Sequence, residues 1–217
     1  MTLLYCVRHG ESEVNLLHEF SNRGLKHGLT DLGRTQVHRL ADKLQGIPFH
    51  AAFSSPLLRA RQSAEILSER LRIPFEITPA LTEYDVGILE GKTDDASWLR
   101  YADLHTAWVG DRAFDARHDG GESYNDVCAR FSPLLERIRA EMPANPVLLL
   151  GHGGTFYCVL SRLCSNVELS YPFQRGIRHT HVVIVDLQAE SVTCLRWGDE
   201  ERSHFAMGGP PGLDASQ

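Results

Sequence analysis

Short apolar runs alternate with longer stretches of helical spacing along these 217 residues. Leu3-Leu4-Tyr5-Cys6-Val7 is apolar throughout, as a strand covered on both faces must be. Thr30 precedes a periodic stretch over 31–44 that Gly46 and Pro48 close, which predicts a capped helix. Residues 51–54 predict a short strand. Ser55-Pro56 then predicts a helix start, with Ser as the cap and Pro at the first helical position. Leu57, Ala60, Ala64, Leu67 and Leu71 share one face of that helix. A third short strand falls at 75–77. Residues 80–120 are irregular apart from one helix around 96–108. A long amphipathic helix covers 122–142, with Pro133 as a point of kinking. The strand over 146–150 runs into Gly151-His152-Gly153-Gly154, and an apolar helix follows to about Cys164. Strands at 182–187 and 192–197 close the pattern, and their short link makes them an antiparallel hairpin. Residues 206–217 read as a disordered tail.

Strands alternating with helices predict a mostly parallel sheet with helices on both faces. Such sheets bind ligands at the carboxyl ends of their strands. Two ends qualify here, Arg8-His9 and Gly151-His152. Both follow wholly apolar strands, which places those strands centrally and side by side.

The residues at these ends suit phosphoryl chemistry. Arg offers a planar fork of donors matched to phosphate oxygens. A neutral His offers a ring lone pair when its other nitrogen is held as a donor. Gly10 lets the backbone approach an oxyanion. His152 precedes a helix start, where free backbone N–H groups attract anions. Arg59 falls in the first turn of its helix, so its side chain leans back toward the strand ends. A cation there opposes the helix dipole, which implies an anion nearby. Glu83, in the irregular stretch, is a candidate general acid. Each residue alone has a plainer explanation, namely a turn histidine, a solvated arginine or an exposed loop glutamate. Two histidines at two strand ends are harder to explain that way.

Composition narrows the classes. Apolar content of 42% and charged content of 23% are those of an ordinary globular chain. A net charge of -6 with no basic stripe argues against nucleic acid as a partner. No apolar run is long enough to span a bilayer, and the N-terminus lacks the pattern of a signal peptide. The expected location is therefore cytoplasmic, with no membrane partner. Five cysteines without a CxxC pair predict buried thiols, not a disulfide framework or a zinc site.

Arg8-His9-Gly10-Glu11-Ser12 with Asn15, Leu29-Thr30 with Gly33, Ser54-Ser55-Pro56-Leu57 with Arg59-Ala60 and Gln62-Ser63-Ala64, Leu81 with Glu83, Gly87 and Glu90-Gly91, and Gly151-His152-Gly153-Gly154 occur in that order. Together they resemble the histidine phosphatase superfamily, in its phosphoglycerate mutase-like branch, over about residues 3–197. The resemblance implies a three-layer α/β/α sandwich on a six-stranded, mostly parallel sheet with one antiparallel strand. It implies a single domain over 1–205 with an insert at about 84–120. His9 would be the nucleophile and form a phosphohistidine. Arg8, Arg59 and His152 would complete the phosphate pocket, and Glu83 would protonate the leaving oxygen and then activate water. Asn15, Ser12, Gly153 and Tyr84 would contact substrate. No metal or other cofactor is implied. The partner would be a small-molecule phosphate monoester, with a homodimer as an option.

Departures from the mutases separate the activities. Those mutases place Arg after the acid Glu, where this chain has Tyr84. Residues 94–120 hold six Asp (94, 95, 103, 111, 115 and 119) against three Arg (100, 112 and 117), a poor lining for a tetra-anionic bisphosphate. Hydrolysis is therefore expected over mutase-type transfer. A non-catalytic module that binds phosphorylated ligands is the alternative from another class. Trp98, Tyr101, Trp108 and Phe114 are either core or the wall of a leaving-group pocket.

Overall fold

The structure is a computed structural model that describes residues 2–188, 191–201 and 203–206. The tail expected to be disordered lies outside the described residues from 207 onward. Seven strands form one sheet: β1 (Leu3–Arg8), β2 (Ala51–Ser54), β3 (Phe75–Ile77), β4 (Val147–Gly151), β5 (Val182–Leu187), β6 (Val192–Trp197) and β7 (Glu200–Glu201). Their order is β3-β2-β4-β1-β5-β6-β7. β1 to β4 are mutually parallel, and β5, β6 and β7 each pair antiparallel to the preceding neighbour. The sheet is mixed, as expected. It carries one strand more than six and two strands, β5 and β7, that oppose the rest. β7 is two residues long, below what alternation in sequence can register.

Among the described residues, seven α-helices accompany the sheet: α1 (Glu13–Leu17), α2 (Asp31–Leu44), α3 (Leu58–Leu71), α4 (Asp95–Val109), α5 (Tyr124–Glu141), α6 (Gly153–Leu163) and α7 (Ser170–Arg175). Alternate side chains of the central strands enter two cores, which is why these strands are apolar at every position. Val7, Ala52, Leu148 and Leu150 pack with Val37, Leu40 and Ala41 of α2 and Ala64 and Leu67 of α3. Leu4, Cys6, Phe53, Val147 and Leu149 pack on the other side with Phe131, Leu135 and Ile138 of α5 and Phe156 and Val159 of α6. Leu104 and Trp108 of α4 join this second core, and Trp98, Tyr101 and Phe114 pack against it. Of the four aromatics in question, Trp108 is therefore core, while Trp98, Tyr101 and Phe114 are half-buried against it.

Thr30 caps α2 by accepting from Gly33 N–H, as the sequence predicts. The start of α3 differs. Leu57, not Ser55, is its N-cap, and no side chain caps it. Ser55 instead continues the β2 strand end, with its N–H donating to Leu150 O of β4. All five cysteines are free. No helix among the described residues is long and apolar enough to cross a membrane.

Candidate active site

β1 and β4 are central neighbours in parallel register, with Arg8 opposite Gly151. His9 N–H donates to Gly151 O at 3.1 Å, which carries the pairing one residue past the strand. The two histidines that follow these strands therefore stand together, with ring centroids 5.0 Å apart. Both are almost fully enclosed.

Hydrogen bonds assign the protons on His9. Nδ1 donates to Gly10 O at 2.6 Å, which leaves Nε2 with its lone pair. Arg59 Nε donates to that Nε2 at 3.2 Å, consistent with the same tautomer. Burial, and then the charge of Arg59, hold His9 well below the usual histidine pKa, with His152, Arg8 and His179 adding to the effect. The ring is thus uncharged at neutral pH and carries a nucleophilic nitrogen.

Arg59 is 4% exposed, at the second helical position of α3. Its Nη1 donates to Ser21 O at 2.9 Å and its Nη2 reaches Asn22 Oδ1 at 3.5 Å. Burial lowers its pKa to about 10, against the opposing pull of Glu83. Arg8 Nη1 donates to Ile177 O at 2.8 Å. Among the described residues neither arginine is within ion-pair distance of a carboxylate, so two cations face one centre without a bonded counterion. Buried Arg59 and half-buried Arg8 together favour an anionic ligand.

His152 is oriented by Ser55. Leu57 N–H donates to Ser55 Oγ, and that Oγ lies 2.8 Å from His152 Nε2. With the hydroxyl proton directed to Nε2, the imidazole proton sits on Nδ1, an enclosed atom with no partner in the protein. Burial and then Arg59 and Arg8 keep this ring neutral too. Ser55 escaped the sequence reading as a site residue because Ser-Pro after a strand has the signature of a helix cap.

The carboxylate of Glu83 sits over the start of α6. Oε2 accepts from Gly154 N–H at 2.9 Å, and Oε1 accepts from Thr155 N–H at 2.7 Å and Tyr84 N–H at 3.0 Å. The helix start expected to take an anion thus holds the acid residue itself. Gly153 is the first residue of the same helix.

The remaining candidates divide. Asn15 Oδ1 accepts from Ser12 N–H and Ser12 Oγ in a capping box at α1, which leaves its Nδ2 as the donor group. Ser12 is fully enclosed and spends its hydroxyl on that cap. Tyr84 does not face the pocket. It is fully buried, stacks with Tyr101 and bonds His105 Nε2 through its hydroxyl at 2.8 Å. An aromatic side chain among Tyr101 and Trp108 finds more burial there than at a polar strand end. The motif residues around Arg59 have structural tasks. Ser63 Oγ accepts from Gly10 N–H and donates to Arg59 O, and Gln62 Oε1 accepts from Leu29 N–H. They tie α3 to the loop after β1.

A ring lone pair, a buried and a half-buried arginine and a second histidine are thus gathered at the ends of two central strands. The chain belongs to the histidine phosphatase superfamily (branch 1), whose family model matches residues 4–200. It is 33% identical over 207 residues to a 2,3-bisphosphoglycerate-dependent phosphoglycerate mutase of Methylobacterium radiotolerans, covering 89% of this chain and 95% of that protein. A mycobacterial glucosyl-3-phosphoglycerate phosphatase solved with VO3 aligns with a TM-score of 0.77 at 27% identity, covering 91% of this chain and 99% of the other. The α-ribazole phosphatase of Shigella flexneri shares the fold, with a TM-score of 0.73 at 20% identity over 96% of this chain and 99% of the other.

Proposed function

We propose that this protein is a phosphatase that hydrolyses small-molecule phosphate monoesters through a phosphohistidine on His9. The phosphoryl oxygens of the substrate take the donors of Arg59 and Arg8. This draws Arg59 Nε off His9 Nε2 and frees the lone pair. Nε2 then attacks phosphorus, the bond to the leaving oxygen breaks, and Glu83 gives that oxygen a proton. His152 Nδ1–H, the Asn15 amide and the Gly153 N–H stabilise the charge on the transferring group. In the second half, water attacks phosphorus, Glu83 takes its proton, and the P–N bond breaks to release inorganic phosphate.

One observation carries hydrolysis over mutase-type transfer. Tyr84, which occupies the place of the mutase arginine, is buried in the aromatic core, so nothing cationic follows the acid residue. Three cations near this loop are already paired. Arg23 binds Asp85 in a two-point contact at 2.8 Å, Arg117 binds Asp126 and Arg130 binds Glu122. A bisphosphate with four negative charges finds little to hold its second group. The mutase reading is favoured by the 33% identity to a phosphoglycerate mutase.

A panel of phosphate monoesters separates the two. Release of inorganic phosphate from several monoesters, with no bisphosphate primer, is the expected result. Interconversion of 2- and 3-phosphoglycerate that requires 2,3-bisphosphoglycerate would favour the mutase. Vanadate binding without turnover of any ester would leave a phospho-ligand binding module.

A further inference from the structure

Seven side-chain polar atoms among the described residues are sealed from solvent yet have no hydrogen-bond partner. Three of them, Arg8 Nε, His152 Nδ1 and His179 Nε2, belong to side chains around His9. Arg8 adjoins it, the His152 ring is 5.0 Å away and the His179 ring is 5.8 Å away by centroids. Unpaired buried polar atoms are uncommon, and each has lost its water without gaining a bond. Gathered around His9, they are candidate donors to one ligand. Two of the three belong to residues the phosphatase reading already uses. His179 is assigned nothing.

The segment that carries His179 is pinned to the end of β1. Thr180 N–H donates to Arg8 O at 3.0 Å and to His9 O at 3.4 Å, and Arg8 Nη1 donates to Ile177 O at 2.8 Å. Thr180 has a φ of 59°, in the left-handed region that a β-branched residue normally avoids. Its Oγ1 donates to His179 O at 2.7 Å. Backbone strain of this sort persists where the surroundings over-determine a position. Here it fixes the residue next to His179. Burial, and then Arg8, lower the His179 pKa to about 3, so the ring is neutral and adds no third cation beside Arg8 and Arg59. A neutral ring still has one N–H to give.

We propose that His179 is a third histidine of the phosphoryl pocket, its Nε2–H donating to an oxygen of the phosphoryl group on the substrate and on His9. This rests on the phosphatase reading. This fifth donor side chain, after Arg8, Arg59, His152 and Asn15, would share the charge that builds on the equatorial oxygens during transfer.

Orthovanadate binding to the full chain tests this, with His179→Ala and His179→Gln as variants. Glutamine places an amide N–H near the position of Nε2. The expected result is a loss of about tenfold or more in vanadate affinity for His179→Ala, with most of it restored in His179→Gln. The same pattern is expected in kcat for a monoester. Wild-type affinity in both variants would overturn the proposal. Equal loss in both would also overturn it, because the ring would then be supporting the loop and not donating. A wild-type protein that binds vanadate and turns over esters, with either of those outcomes, leaves the phosphatase reading intact. A wild-type protein that does neither removes both.

Discussion

Arg59 donates into the same lone pair that has to attack phosphorus. On the proposed mechanism, an anion that competes for the guanidinium would release the His9 ring for attack. Glu83 is restrained in a similar way, by three backbone N–H groups. Its role depends on proton transfer, so replacing it should matter most where the leaving group is a poor one. Glu83→Gln is expected to slow an alkyl phosphate by about 10²–10⁴-fold and an aryl phosphate much less, measured as kcat on a matched pair. Equal slowing of both would contradict the acid role. Arg8, His9, Arg59 and His152 stand out in the sequence because each sits at a strand or helix end that pattern reasoning can locate, whereas Glu83, in an irregular stretch, stands out only with the motifs around it. Tyr84 does not stand out as a core residue. Its neighbours in space, Tyr101, His105 and Trp108, lie on a helix 17 to 24 positions later, and nothing local says that its ring turns inward. Only tertiary contacts bring Ser55 to His152 and His179 to His9, so neither is marked by its local sequence.

At the scale of elements, the site is an agreement among four segments. β1 and β4 deliver the histidines, α3 delivers Arg59, and the start of α6 seats Glu83. Gly154 is where α6 and the 83–84 loop must touch. A Cβ there would lie 2.4 Å from the Tyr84 ring and 2.8 Å from Glu83 Oε1. Gly154→Ala is therefore expected to push Glu83 out of place and strain the aromatic core. We expect a loss of about 1–3 kcal/mol in stability by denaturant titration, with a fall in kcat on alkyl phosphates larger than on aryl ones. Unchanged stability and unchanged kcat would show that α6 and the 83–84 loop can separate freely. The longer elements were legible because their hydrophobic period survives over several turns or strand residues. α2, β2, β3, β5 and β6 begin and end where the pattern places them. α1 and α7, of 5 and 6 residues, complete too few turns to leave a period, and the sequence gives no sign of them.

Across the whole molecule, burial has depressed several histidines at once. His9, His105, His118, His152, His179 and His181 all lie below the ordinary value, with burial as the largest cause in each. In the unfolded chain these rings titrate near 6.5. The unfolded state therefore binds more protons than the folded one as pH falls below about 6.5. Stability is fully present above that pH and is lost progressively below it. The thermal midpoint is expected to be level from pH 8 to 7 and to drop steeply between pH 6 and 4. His105, lowered to about 4 by burial and His118, is the clearest single contributor outside the site. His105→Gln should flatten that drop while lowering the plateau, because the Tyr84 hydroxyl bond is disturbed. A midpoint that holds steady down to pH 4 would contradict the account. The mixed sheet and its two cores were legible as a class from alternation alone. The strand count was not, since β7 is too short to announce itself.

The central claim is that His9 carries the phosphoryl group from the ester to water. Alkaline quenching during turnover of an aryl phosphate, followed by peptide mass spectrometry, tests it directly. The account predicts a phosphoryl group on the His9 peptide that appears with substrate, decays as inorganic phosphate is released, and is absent with folded but inactive His9→Ala. Continued turnover by His9→Ala, with no phosphorylated histidine in the wild-type protein at any time point, would contradict it.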